Sequence, residues 1–263
     1  MTEIYHTHTA RCLHASGTDE EYVEKAIAED VKLLGFSDHA PYIYRDGYVS
    51  YYKMLPSMAD EYFDSILSLR EKYRDKIDIR VGYEAEYYPE LWDDTLELWR
   101  KRPPEYLILG QHYINYESLG GVRGDRSYNS SAPADKARVK LYVDRVVEAM
   151  ASERFSIVAH PDIVSSSADD GFYLNELSRI VGASEKYGVP LEFNLLGFAT
   201  GRLYPRMDFW RMVAEMGGSC VLGCDAHSPM RVADKDEERR ARELLKSLGV
   251  PVIETVELRD PKL

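Results

Sequence analysis

The sequence predicts an α/β protein with parallel strands wound into a barrel. Three observations predict it. Short apolar runs alternate with longer amphipathic stretches about seven times, the rhythm of strands joined by helical crossovers. The length, 263 residues, is that of one α/β barrel. No Gly/Ser-rich or Pro-rich linker interrupts the chain, and nothing repeats beyond the strand–helix rhythm, so 1–263 reads as a single domain.

The first apolar run is EIYHTHT, beginning at residue 3. TDEEYVEKAIAEDVKLLG follows as a helix, with Thr18 as N-cap, Glu21 three residues on and Gly35 as the stop. The remaining strand candidates are LGFSDHA, DIRVGYEAEYY, YLILGQHYI, FSIVAHPDIV, VPLEFNLLGF and GSCVLGCDAHS. VPVIETVEL reads as an eighth strand or an edge. Helical patterns cover 55–74, 90–101, 133–152, 173–187, 207–217 and 233–248. Arg74, Lys186 and Lys246 fall in last turns, where a cation suits the helix dipole. The stretch 113–132 has no periodicity and is long for a connection inside a compact domain, which marks it as a functional or mobile loop.

Composition narrows the class. Apolar residues make up 44% and charged residues 30%, an ordinary globular balance. A formal charge of −12 argues against a nucleic-acid groove, which needs clustered Lys and Arg, while leaving room for a local basic pocket. No apolar run approaches the ~20 residues of a membrane span, and the N-terminus lacks a signal-peptide pattern. Three cysteines (Cys12, Cys220 and Cys224) form no disulfide framework, so a reducing cytoplasm is the expected setting. Cys220 and Cys224 read as small buried residues.

The seven histidines carry the functional signal. His6 and His8 end the first strand candidate, and His14 lies in the loop after it. His39, His112, His160 and His227 each stand at the C-terminal end of another. In a parallel barrel those ends share one face, where active sites lie. Acidic residues occupy the same places: Asp38, Glu84, Glu86, Asp162, Glu192 and Asp225. Period-2 geometry puts His6 and His8 on one side of a strand, and likewise Asp225 with His227 and Glu84 with Glu86. Taken alone, an H-x-H pair or one strand-end histidine is weak; seven together point to a metal site. Mixed imidazole and carboxylate donors suit Zn, Mn or Fe better than Mg or Ca.

The ordered series HTH, SDH, GYEAE, GQH, AHPD and GCDAH resembles the polymerase-and-histidinol-phosphatase (PHP) superfamily, and within it the monofunctional histidinol-phosphate phosphatases. The resemblance runs from residue 6 to residue 227. It implies a distorted (β/α)7 TIM-like barrel with three divalent or transition metal ions. His6, His8, Glu84 and Asp225 would hold one ion. Glu84 would bridge to a second held by His112 and His160, with Glu86 its competitor for that role. His14, His39 and His227 would hold the third.

The implied activity is hydrolysis of a small phosphate monoester, L-histidinol phosphate, by metal-activated hydroxide. Asp162 is the candidate general acid for the leaving alkoxide, against a plain turn or supporting role after Pro161. Arg202 is the candidate phosphate-gripping and catalytic arginine, with Arg206, Arg123 and Arg126 as competitors. Glu117, with Ser118 beside it, is the candidate substrate-binding pair for the histidinol amine and imidazole, and Tyr113 and Tyr116 could pack on the ring. Cys12 could ligate or only pack. Three rivals stand beside this reading. One is a related phosphoesterase acting on phosphotyrosine, nucleotides or sugar phosphates; the others are a metal-dependent amidohydrolase and a metal-binding protein without turnover. The residues leave the oligomeric state open.

Overall fold

The computed structural model describes residues 1–114, 117–119, 122–123 and 134–263, the backbone alone at 118, 119, 122 and 123. The strands in chain order are β1 (Glu3–Ile4), β2 (Leu33–Phe36), β3 (Asp78–Val81), β4 (Tyr83–Ala85), β5 (Leu107–Leu109), β6 (Ser118–Leu119), β7 (Val122–Arg123), β8 (Ile157–Val158), β9 (Leu191–Asn194) and β10 (Cys220–Gly223). Two parallel sheets result, ordered β1-β2-β3 and β10-β9-β8-β5-β4, while β6 and β7 pair antiparallel on their own. Single parallel bridges, Thr7 with Ala226 and His39 with Glu84, span the two boundaries between the sheets. Regular ladder pairing does not run across those boundaries among the described residues. The run VPVIETVEL contributes only one bridge, Val252 with Cys220.

The segment DIRVGYEAEYY changes sheets instead of forming one strand: β3 pairs with β2, and β4 pairs with β5. Gly82 is the switch. A side chain there would meet the Tyr106 carbonyl at 2.6 Å, so only glycine lets the chain pass.

The helices are α1 (Asp19–Ala28), α2 (Ala59–Tyr73), α3 (Trp92–Trp99), α4 (Lys136–Ala151), α5 (Asp170–Tyr187), α6 (Leu195–Thr200), α7 (Met207–Glu215) and α8 (Lys235–Leu248). Helix α1 has the expected capping box of Thr18 and Glu21. It stops at Ala28, short of Gly35, because Asp30 takes φ 63° and the next apolar residues enter β2. Asp135, Asp169 and Asp234 cap α4, α5 and α8, and Gly188 and Gly249 end α5 and α8 in the left-handed conformation.

The strands bury both faces. On β5, Leu107 and Leu109 join the large core beneath the helices, while Ile108 points the other way into a smaller cluster with Tyr5, Tyr106, Ile157, Ala159, Val221 and Val256. Glu84 is opposite Ile108 in the β4–β5 register. A carboxylate therefore sits where the period-2 pattern would put an apolar side chain, and it is buried. Such a charge is costly unless other groups compensate it.

Candidate metal centre

Glu84 is the hub. Its Oε1 lies 3.0 Å from His160 Nε2, 3.5 Å from His6 Nε2 and 3.5 Å from His112 Nε2. Its Oε2 lies 2.9 Å from His39 Nδ1 and 3.7 Å from His8 Nε2. Oε2 is buried, and the His39 imidazole is its close contact. Glycine gives the carboxylate its room: a Cβ on Gly110, beyond the end of β5, would fall 2.0 Å from Glu84 Oε1.

His6 and His8 follow β1, with Thr7 bridged to Ala226 between them, and their Nε2 atoms face each other at 3.2 Å. Asp225 Oδ1 is 3.1 Å from His8 Nε2 and 3.6 Å from His6 Nε2. On the far side of the cluster His14 Nε2 and His227 Nε2 face at 3.0 Å. The His39 ring stacks 5.2 Å from His14 and stands 6.0 Å from His227. With its Nδ1 turned to Glu84, His39 shares a tight donor group with Glu84 and His112 and another with His8 and His227. Two turns aim side chains that a straight strand would not: His160 has φ 32° and Asp225 φ 47°. Non-glycine residues in this region cost of the order of 1–3 kcal/mol and cluster at functional sites.

The donor chemistry fits transition-metal ions. Burial opposes a charge on His6, yet Glu192, Glu84 and Asp225 hold its imidazole well above the usual histidine range. His8 is likewise moved up to about 9, against burial, by Asp225 and Asp38. Burial together with His227 pushes His14 down to about 4. Glu84 and Asp225 are held well below the usual carboxylate range in spite of their burial, Glu84 first by His112 and Asp225 first by His6. Protons on both facing Nε2 atoms of His6 and His8 would repel; one cation between two lone pairs removes that conflict and keeps the carboxylates neutralised.

Several residues that the sequence placed near the histidines without assigning them a role support the ligands. Glu192 Oε2 lies 2.7 Å from His6 Nδ1. Asp38, buried, accepts from Thr9 Oγ1 and the His39 backbone N–H and lies 3.4 Å from His8 Nδ1. Cys12 is a free, buried thiol raised by burial and by Asp38, beside that carboxylate. Cys220 and Cys224 are also free and buried, as their apolar neighbours implied.

A cavity of about 260 Å³ opens over the cluster, walled in part by His14, His39, His112, His227, Lys53 and Arg202. Arg202 therefore reaches the cavity, whereas the Arg206 guanidinium pairs with Asp208 and Asp170. The side chain of Arg123 and all of Arg126 lie outside the described residues, as do the Ser118 side chain and Tyr116. Glu117 does not line the cavity. It is buried and accepts from Tyr44 Oη at 3.0 Å, Tyr48 Oη at 3.1 Å and Ser50 Oγ at 2.8 Å. Lys53 stands between: its Nζ contacts Glu86 and lies 3.5 Å from Glu117 Oε2. Glu86 is thus drawn to Lys53 and to the Tyr113 backbone N–H at 3.0 Å, not to the place between histidines that Glu84 fills. Asp162 is also buried and is not among the residues that line the cavity; one oxygen accepts from the Arg206 backbone N–H and the other has no hydrogen bond. Burial pushes its carboxyl up to about 7.

Comparison with known proteins follows this geometry. The PHP domain signature matches residues 5–195. The chain belongs to the PHP domain family. A Deinococcus radiodurans protein named "Probable histidinol-phosphatase" is 29% identical, with 89% of this chain and 91% of that protein aligned. A Schizosaccharomyces pombe protein of the same name is 24% identical over 86% of this chain and 81% of its own. The solved Lactococcus lactis histidinol phosphate phosphatase, complexed with zinc, L-histidinol and phosphate, superposes with a TM-score of 0.71 at 20% identity, covering 96% of this chain and 95% of that one. The PHP fold therefore extends over nearly the whole chain, past the end of the matched signature.

Proposed function

We propose that this PHP protein is a metal-dependent phosphomonoesterase that hydrolyses L-histidinol phosphate to L-histidinol and phosphate, a step of histidine biosynthesis. The observation that carries it is one buried carboxylate, Glu84, within 3.7 Å of five imidazoles at the foot of an open cavity. The full-length relatives of the same name support the substrate.

His6, His8, Glu84 and Asp225 would hold one ion, Glu84 with His112 and His160 a second, and His14, His39 and His227 a third, with Zn, Mn or Fe suited to the donors. Such ions, when bound, lower the pKa of water toward ~7 and offset charge on the phosphoryl group. The protein's own residues supply the rest. Arg202 offers the planar, two-pronged donor that a phosphate takes well. Asp162, its carboxyl pushed up to about 7 by burial, is the group to protonate the leaving alkoxide. Glu117 acts on substrate choice through Lys53, which it and Glu86 hold at the cavity wall. The parallel bridges at Thr7 and His39 favour closure of the two sheets into one seven-position ring round this site.

The test is phosphate release from L-histidinol phosphate, phosphotyrosine, nucleotides and sugar phosphates, with metal analysis of the same preparation. Preferential release from L-histidinol phosphate supports the proposal. Turnover confined to phosphotyrosine, or no turnover by metal-loaded protein, refutes it.

A further inference from the structure

The buried polar groups at the end of β9 belong to none of the ligand sets above, yet they touch two of the proposed ligands. We propose that Glu192 and Asn194 are positioning residues: Glu192 fixes the His6 imidazole as the Nδ1–H tautomer, and Asn194 ties Glu192, Asp225 and the helix leading to Arg202 into one unit. The proposal rests on the metal-dependent reading and names what orients its ligands.

Glu192 is 1% exposed, and the hydrogen bonds of its side chain go to His6 Nδ1 and to Asn194 Nδ2, each at 2.7 Å. A carboxylate in its ionised form accepts only, which places the shared proton on His6 Nδ1. The Nε2 lone pair is then left facing His8, Glu84 and Asp225, the orientation that a cation there requires.

Asn194 reads out just as firmly. Its Oδ1 accepts from the Gly197 backbone N–H at 2.7 Å as the cap of α6, which turns Nδ2 toward the carboxylates. Nδ2 donates to Glu192 Oε1 at 2.7 Å and to Asp225 Oδ2 at 3.1 Å. Asp225 thus has one oxygen tethered and the other, Oδ1, toward His6 and His8. Helix α6 ends at Gly201, and the Arg202 backbone N–H bonds back to the Gly197 carbonyl at 3.0 Å. The amide that sets Asp225 therefore also sets the start of the turn that delivers Arg202 to the cavity.

The neighbouring strand is built around this arrangement. A Cβ on Gly223 of β10 would lie 2.0 Å from Glu192 Oε2 and 2.1 Å from its Cδ, so glycine alone clears the carboxylate. This cradle parallels that of Gly110 and Glu84.

The experiment compares wild type with Glu192→Gln and Asn194→Ala, each checked for folding by circular dichroism. Zinc affinity is measured by competition with a chromophoric chelator, and the His6 ring nitrogens by NMR of the zinc-loaded protein. We expect Glu192→Gln to weaken zinc binding about 10–100-fold at one class of site and leave the others intact. We expect Asn194→Ala to weaken it and also to raise KM for the phosphoester through Arg202. In wild type, His6 Nδ1 carries a slowly exchanging proton. Wild-type zinc affinity in folded Glu192→Gln, or a proton on His6 Nε2 in the loaded wild-type enzyme, overturns the proposal. Because the NMR reading uses wild type alone, a variant that fails to fold does not remove the test. If wild type itself takes up no zinc, the metal-dependent reading fails instead.

Discussion

At the scale of single residues, Glu84 and Asp162 make opposite demands on burial. Glu84 is ionised because imidazoles surround it, whereas at Asp162 burial outweighs the Arg206 backbone N–H and the nearby His160 and Arg206 and pushes the carboxyl up to about 7. Glu84→Gln keeps the shape and removes the charge, so bound metal measured by atomic absorption should fall at least about tenfold, and phosphate release with it. Asp162→Asn should leave metal content unchanged and lower kcat by roughly 10²–10⁴; unchanged kcat would remove the acid role. Glu117→Gln should shift KM for L-histidinol phosphate more than kcat, because Glu117 reaches the cavity only through Lys53. The strand-end histidines could be read from the sequence because position along a strand is a local property. Asp38 and Glu192 could be placed among the strand-end acids but given no role, and Asn194 and Lys53 could not be singled out at all. Their roles are set by partners such as His6, 186 residues from Glu192 in the chain, and no spacing records that.

At the scale of elements, strand ends and glycines aim the site. Gly110→Ala would drive a methyl group into Glu84 and should cost metal binding while the helices persist by circular dichroism. Thr18→Ala removes the α1 capping box and should cost about 1 kcal/mol of stability in urea denaturation, with turnover unchanged, because α1 holds none of the proposed ligands. The alternation of elements was legible, and their lengths were not. VKLL continues an apolar helical pattern past Ala28, but its Leu33 and Leu34 open β2, and the tail of VPLEFNLLGF looks like strand but forms α6 once Asn194 caps it. In both places tertiary pairing overrides a pattern that local sequence leaves ambiguous. Likewise EIYHTHT is regular strand only at Glu3–Ile4, and beyond it the chain keeps a single parallel bridge, Thr7 with Ala226, between the two histidines.

At the scale of the whole molecule, parallel strands gather donors from residue 6 to residue 227 at one end. None of the helices among the described residues is long and apolar enough to cross a membrane. Folding assembles the cluster, so ions bound only by the folded state stabilise it, by about 2.7 kcal/mol at a concentration one hundred times the Kd. Thermal unfolding should therefore occur at lower temperature after chelation and recover when zinc or manganese is restored. The PHP signature, the full-length relatives and the cavity over Glu84 converge on one reaction. The most direct measurement is phosphate release from L-histidinol phosphate by the purified protein before chelation, after chelation and after metal return. The account predicts turnover that is lost on chelation, restored by metal and well above that on phosphotyrosine or sugar phosphates. Turnover that survives complete metal removal, or a metal-loaded enzyme indifferent to L-histidinol phosphate, would contradict it.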